Sequence, residues 1–529
     1  MFLTLNTSAQ PVTFPDAMLE ATVREALTKP AGEISVADML TLTNLNANGR
    51  AIQDTTGLET AVNLLRLDLS GNNITNYSGL AGLTNLTWLD WFTSPLNTLE
   101  FMTNLPALRT LFVYGDQFED ISPLLTLMNL EALQLDWNPA VTNLALLAGL
   151  TNLQGLNAAG DNISDAQFLA GLTQLRTLVL YQNPVQDISP LVNLTNLSTL
   201  GVSYTGVTNA ALVANLPQLS ELWLMGNALT NVSFLAGLTN MVVLELAYTE
   251  LTDMSPLTNL TQLAELNIGE NYLTNLPDLS ALTNLRTLMV AGNQITDLSA
   301  LAGLTNAHHL HLQRNGFHDL SPLTNCVWLE TLLLSGNTIS NIDVLAVLPN
   351  LIGLEVRAPA LEDAETIQPL TQLHWLDVSE NRLTNLTPLT NLISLDYLAA
   401  AANHLADISP LTNLTELSYV DVRHNWLDLN PGSGAMNSIT NLQARGVAVE
   451  YEPQDASPAP ITLLAPTRTS EQLFQFTISS PPGAILQIWS STNLSDWLSA
   501  GIITNSTGIT SFTDTNATAS QTFYRAQQQ

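Results

Sequence analysis

The chain has 529 residues and a formal net charge of −32, from 46 acidic against 14 basic residues. Charged residues make up only 11% and hydrophobic ones 46%, so the bulk polarity comes from Asn, Thr, Ser and Gln, which excludes a disordered acidic chain. That field, with Lys29 as the single lysine, repels phosphate backbones and anionic membranes, so nucleic acid is not an expected partner.

Residues 1–10, MFLTLNTSAQ, have an apolar start and a Thr7-Ser8-Ala9 that suits signal cleavage, but no basic n-region and no adequate apolar core. They read either as the remnant of a signal peptide or as a disordered terminus. Residues 11–41 predict a helical N-terminal cap: Asp16 precedes Met18, Leu19, Val23, Ala26 and Leu27 at helical spacing. A short amphipathic helix can cover the hydrophobic end of a stack of repeats. No run approaches the ~18 apolar residues of a membrane span, and no membrane insertion is expected.

From residue 42 the chain repeats itself. Units start at Leu42, Leu64, Leu86, Leu108, Leu130, Leu153, Leu175, Leu197, Leu219, Met241, Leu263, Leu285, Ala307, Leu329, Leu351, Leu373, Leu395 and Leu417, eighteen units spaced by 22 residues except for one interval of 23. Leucine-type residues recur at places 1, 4, 6, 11, 17 and 20 of each unit, Asn at 9, and Asp or Asn at 13. This is the leucine-rich-repeat signature. The predicted fold is an α/β solenoid: a leucine-rich-repeat horseshoe of about 18 units over 42–452, with a parallel concave sheet and short turns or 3-10 helices on the convex side.

The alternation across places 3–7 predicts a strand with 4 and 6 in the core and 3, 5 and 7 on the open face. Asn at place 9, as in Asn72, Asn138, Asn183, Asn227, Asn271, Asn293, Asn337 and Asn381, can satisfy backbone groups at the turn leaving each strand. Cys326 replaces a core leucine and reads as a buried apolar side chain.

The last unit departs from the pattern at about residue 427, and a helix over Ala435–Arg445 followed by a strand over Val447–Tyr451 predicts a C-terminal cap. Residues 453–460 have linker composition. Beyond them, 461–529 carry short strand patterns separated by Pro-Pro-Gly, Ser-Asp and Asn-Ala turns, which predict a small β-sandwich domain. Residues 456–529 hold three acidic against two basic side chains, so the negative field belongs to the repeats.

Only the open face is free for recognition. From Leu86 to Tyr272 it presents Trp88, Asp90, Phe92, Phe112, Tyr114, Asp136, Trp137, Tyr181, Tyr204, Glu221, Trp223, Glu245, Tyr248, Glu250, Glu265, Glu270 and Tyr272, with no lysine or arginine. Exposed aromatics framed by charge are the usual substance of a binding hot spot, so a protein or glycan ligand, basic or neutral, is expected there. The plainer reading is that the rings pack along neighbouring strands and stabilise the sheet. A secondary patch, Trp375, Tyr397 and Tyr419 at place 3 with Asp377 and Asp421 at place 5 and Arg357 and Arg423 at place 7, predicts a stacked ladder with ion pairs or a mixed-charge site.

His309 and His311 share a face beside His308, but their neighbours Met289, Thr331 and Leu333 offer no third ligand, so neither metal nor cofactor is expected. Glu221, Glu245 and Glu265 lie diagonally on adjacent strands. They carry a remote alternative, a carbohydrate-active enzyme, which needs a cleft to desolvate one acid. No nucleotide-binding, metal-binding or nucleophile motif occurs in a fitting context.

The 22-residue unit with Asp120-Ile121-Ser122-Pro123-Leu124 after the Asn resembles the internalin-type bacterial leucine-rich repeats over roughly residues 14–452. The resemblance implies a non-enzymatic recognition or adhesion module, secreted or on the bacterial cell surface, whose concave sheet takes up a partner protein. Two features depart from that family: there is no Leu-Pro-x-Thr-Gly anchoring tail, and the segment around Ser491–Trp497 with Phe523-Tyr524-Arg525 looks like C-terminal β-modules of secreted bacterial proteins. The competing expectation is a structural matrix or spacer protein that self-associates.

Overall fold

A computed structural model describes residues 10–92, 96–115, 118–229, 231–357, 361–455, 462–468, 473–480, 484–493, 495–505, 509–515 and 522–528. Residues 1–9 of the expected signal remnant and 456–460 of the expected linker lie outside the described residues.

Helix α1 (Ala17–Ala26) is capped by Asp16, whose Oδ1 accepts the N–H groups of Met18 and Leu19 at 2.8 and 3.1 Å. A single helical turn, α2 (Val36–Met39), follows through a capping box between Ser35 and Asp38. Leu19, Val23, Ile34 and Met39 are buried in the same core as Leu42, Leu45 and Leu67, so the two helices cover the open end of the stack.

Each unit contributes one strand, from Asn44–Asn46 to Tyr419–Asp421, and these pair in chain order in a parallel sheet of 19 strands that ends on Ala448–Glu450 of the C-terminal cap. Register repeats without slippage: Leu67 lies opposite Leu89 and Leu222 opposite Leu244. At ~4.8 Å per strand the sheet is roughly 85 Å long. Places 4 and 6 are buried throughout, including Trp91. On the far side most returns hold a 3-10 turn, some with Pro at the start, as in Ser189–Asn193 and Ser255–Asn259, whereas the return between Glu265–Asn267 and Thr287–Met289 has none. Asp at place 13 nucleates such a turn: Asp187 accepts the Ser189 N–H at 2.8 Å, which holds its carboxyl below the usual range.

The strands are shorter than the alternation predicts. Most span places 3–5, and only Trp88–Phe92 and Thr110–Tyr114 reach place 7. The carbonyl at place 6 turns to the asparagine ladder. Asn227 Nδ2 donates to Val202 and Leu224 at 2.8 and 2.9 Å, while its Oδ1 accepts from Thr205, Gly206 and Val207 at 3.2, 2.9 and 3.0 Å. Thr205 and Thr249 replace Asn and still donate, to Val202 and Leu246 at 2.7 and 2.6 Å.

Place 8, next to that ladder, is left-handed in every described unit, with glycine at Gly49, Gly71, Gly115, Gly160, Gly226, Gly292 and Gly336. Elsewhere Trp137, Gln182, Tyr204, Tyr248, Glu270, Arg314, Glu380, Ala402 and His424 adopt φ between 51° and 61° at that place. Each costs about 1 kcal/mol relative to glycine.

The C-terminal cap holds α3 (Gly434–Ala444), with Ser433 accepting the Met436 N–H at 3.1 Å. Residues 462–528 form two three-stranded antiparallel sheets, one of 462–468, 474–479 and 509–514, the other of 498–505, 484–491 and 523–528. Phe476 and Ile478 from the first and Leu486 and Ile488 from the second make one buried core, a small β-sandwich.

Candidate functional site

The sheet brings the expected aromatics together in three groups. Trp88 meets Phe112 edge-on at 5.6 Å, and Phe92 stacks on Tyr114 at 4.4 Å. Tyr181 meets Tyr204 edge-on at 5.6 Å, while Trp223 lies on Gly201, where an added Cβ would come within 2.8 Å of its ring. Trp137, Tyr204, Tyr248 and Tyr272 stand further out, 40, 41, 51 and 55% exposed. Three of these four sit at the left-handed place, so their exposure is held at a conformational cost. Trp137 and Tyr204 overhang Gly160 and Gly226, where a Cβ would meet their rings at 2.7 and 2.2 Å.

The acids behave less uniformly than the sequence suggests. Asp136, expected on the open face, is only 7% exposed and accepts the Ala159 N–H at 2.8 Å; burial raises its carboxyl. Asp90 is also raised, mainly by burial, and turns back to the Phe92 N–H at 2.9 Å. Glu221 accepts from the Thr199 hydroxyl at 3.2 Å. Glu245 accepts from Asn267 at 2.7 Å and is raised by burial and by Glu265, while Glu250 and Glu265 are exposed. Two cations reach this half from outside the stretch read as free of them. Arg66 lies 3.7 Å over the Trp88 ring, and Arg314 pairs with Glu270.

In the secondary patch the rings stack as expected, Trp375 on Tyr397 at 6.0 Å and Tyr397 on Tyr419 at 4.7 Å. The acids beside them are consumed by their arginines. Arg357 donates to Asp377 at 3.1 and 2.5 Å, Arg423 to Asp421 at 3.0 and 2.7 Å, and the two carboxylates are 4 and 7% exposed. The histidines do not converge: His309 bonds Thr331 at 3.1 Å, and among the described residues no three His, Cys, Asp or Glu form a metal-ligating group. Cys326 is buried, and desolvation pushes its thiol up to about 11.

Sequence reasoning missed one feature of this face, a trough of about 420 Å³ lined by residues from Met225 to Glu355. Its signal was present in the small residues at place 7, Ala247, Gly269 and Ala291, which follow the bulky Phe92, Tyr114 and Tyr181 at the same place.

No protein-family model matches the sequence, and no curated protein does either. Solved structures are similar. A leucine-rich-repeat protein of Leptospira interrogans is 22% identical, with a TM-score of 0.50, over 78% of this chain and 97% of that one. The leucine-rich-repeat ectodomain of the Arabidopsis receptor kinase HAESA, solved with a peptide hormone ligand, is 19% identical with a TM-score of 0.52, over 77% of this chain and 78% of that one. An internalin of Listeria monocytogenes is 29% identical over 75% of this chain and 98% of its own, with a TM-score of 0.44. In repeat period, sheet and turn geometry, the chain is a leucine-rich-repeat solenoid with a C-terminal β-sandwich.

Proposed function

We propose that this is a non-enzymatic recognition protein, secreted or held at a bacterial cell surface, which binds a protein or glycan partner through the concave sheet. The observation that carries the reading is the set Trp137, Tyr204 and Tyr248. Three large rings stand at least 40% exposed at a left-handed place that seven other units give to glycine. Folding gains little from exposing them there, and binding gains rigid aromatic area. Surface export rests on the resemblance of the repeats to internalins. Among the described residues, no helix is long and apolar enough to cross a membrane.

The test is the triple variant Trp137→Gly, Tyr204→Gly and Tyr248→Gly, compared with the wild-type chain on glycan arrays and in pull-downs. Retention of the fold by circular dichroism with loss of the wild-type signals is the expected result. Signals that survive the variant unchanged refute the reading, and concentration-dependent assembly in light scattering without ligand favours a self-associating spacer.

A further inference from the structure

The trough runs along place 7 from Met225 to Ser335, across six successive strands. Five spacings of ~4.8 Å make it roughly 24 Å long, the reach of about seven extended residues. Ala247, Gly269 and Ala291 floor it with almost no side chain, Met289 flanks them, and the Glu270–Arg314 ion pair over Gly292 forms part of the rim.

Its far end holds polar side-chain atoms without partners beside a carboxylate. Gln313 Oε1 and Ser335 Oγ are both buried without a partner. Glu355 beside them is 16% exposed, and its nearest arginine nitrogen, on Arg357, stands 3.9 Å away because that guanidinium is held by Asp377 at 2.5 Å. A buried polar atom without a partner is costly, and Glu355 shares its one arginine with Asp377; a ligand that brings hydrogen-bond donors and positive charge relieves both. Arg314 does not relieve it, since its charge is spent on Glu270.

We propose that this trough seats an extended segment of a protein partner, with one lysine or arginine side chain laid over Ala291 and Met289 and its cationic head at Gln313, Ser335 and Glu355. The apolar stem of such a side chain matches the floor, its N–H groups supply the missing donors, and its charge meets a chain of net −32. A neutral glycan would satisfy the polar atoms and leave Glu355 only its share of the Arg357 guanidinium. The inference rests on the concave face being the recognition surface and names the chemistry of its partner.

The test pans a phage-displayed random heptapeptide library on the full chain, then measures the enriched peptides by fluorescence anisotropy. A consensus with a fixed lysine or arginine is expected, with binding abolished by Ala291→Trp and by Ala247→Trp, either of which fills the floor. Glu355→Gln should weaken binding about tenfold to thirtyfold. Replacing the peptide's basic residue by glutamine should cause the same loss, with no further loss when both changes are combined. Circular dichroism identifies any variant that fails to fold, and the other trough variant then decides. Absence of a basic consensus, including absence of any enrichment, overturns the proposal, as does binding that ignores both trough variants. Glycan-array signals lost in Ala291→Trp would assign the trough to a sugar and equally overturn it. Peptides that lose binding with Trp223→Ala and Tyr181→Ala but not with the trough variants would leave the concave-face reading standing and remove this one. Peptides indifferent to every open-face variant would remove both.

Discussion

Asp161 is the flaw in the asparagine ladder, and replacing it by Asn should stabilise the protein in a pH-dependent way. Its Oδ1 accepts the Asn138 N–H at 2.6 Å, but Oδ2 has no partner in a residue 1% exposed. At the equivalent position in the next unit, Asn183 Nδ2 donates to Ala158 and Leu180 at 2.6 and 3.0 Å, so a carboxylate oxygen in that slot faces carbonyls where a donor belongs. Burial, reinforced by Asp136, pushes the Asp161 carboxyl up to about 7. Between 3.8 and about 7 the folded chain therefore holds a proton that the unfolded chain has released, so stability falls as pH rises through that window and is lowest above it. By pH 8 the cost is roughly 4 kcal/mol, and at pH 5 about 2 kcal/mol. Asp161→Asn should recover most of each. Urea unfolding followed by circular dichroism at the two pH values measures the difference, with Glu416→Gln removing the same charge at an exposed place as the control. Because units couple chiefly to their neighbours, hydrogen exchange should place the gain around residues 138–185. An equal gain at both pH values, or one no larger than the control's, would refute the reasoning.

Gly226 has φ +67°, and a Cβ there would lie 2.2 Å from the Tyr204 ring, so Gly226→Ala should cost about 1–3 kcal/mol and displace that tyrosine; an unchanged urea midpoint contradicts this. Asn227→Leu should cost about 2–5 kcal/mol, since it strands the N–H groups of Thr205, Gly206 and Val207 and two carbonyls, and faster exchange of those amides is the check. The buried Cys326 thiol, raised to about 11, should react with a disulfide reagent at pH 8 only as fast as the chain opens, and rapid stoichiometric labelling of the native protein would show the site wrongly described.

The core was legible because its period is rigid: a 22-residue repeat assigns Trp91 inward and Trp88 outward without knowledge of any contact. The ladder of Trp375, Tyr397 and Tyr419 followed from the same rule, since equal places in successive units lie in register. Details that depend on backbone sign or on cross-unit reach were not legible. The left-handed place 8 left only the recurrence of glycine from Gly49 to Gly336 as its trace, obscured by Trp137, Tyr204 and Tyr248. Asp136 is buried because its neighbour's backbone offers an N–H, and Arg314 pairs across two units with Glu270; neither is a property of one repeat. The trough required noticing where place 7 becomes small, which no hydrophobic pattern marks.

The two ends of the sheet contrast in a way that separates binding from self-support. At Trp375–Tyr419 the rings stack on one another and Asp377 and Asp421 are each matched to an arginine. Between Trp137 and Glu355 the opposite holds. Rings stand exposed at left-handed places, Glu355 shares the Arg357 guanidinium with Asp377, and Gln313 Oε1 and Ser335 Oγ have no partner. The asparagine ladder fixes the backbone from below. Glu380, Ala402 and His424 beside the C-terminal patch are left-handed too, so it is the exposed rings, and not the backbone alone, that mark the stretch from Trp137 to Tyr248. The internally paired C-terminal patch is the reference from which the proposed binding stretch differs.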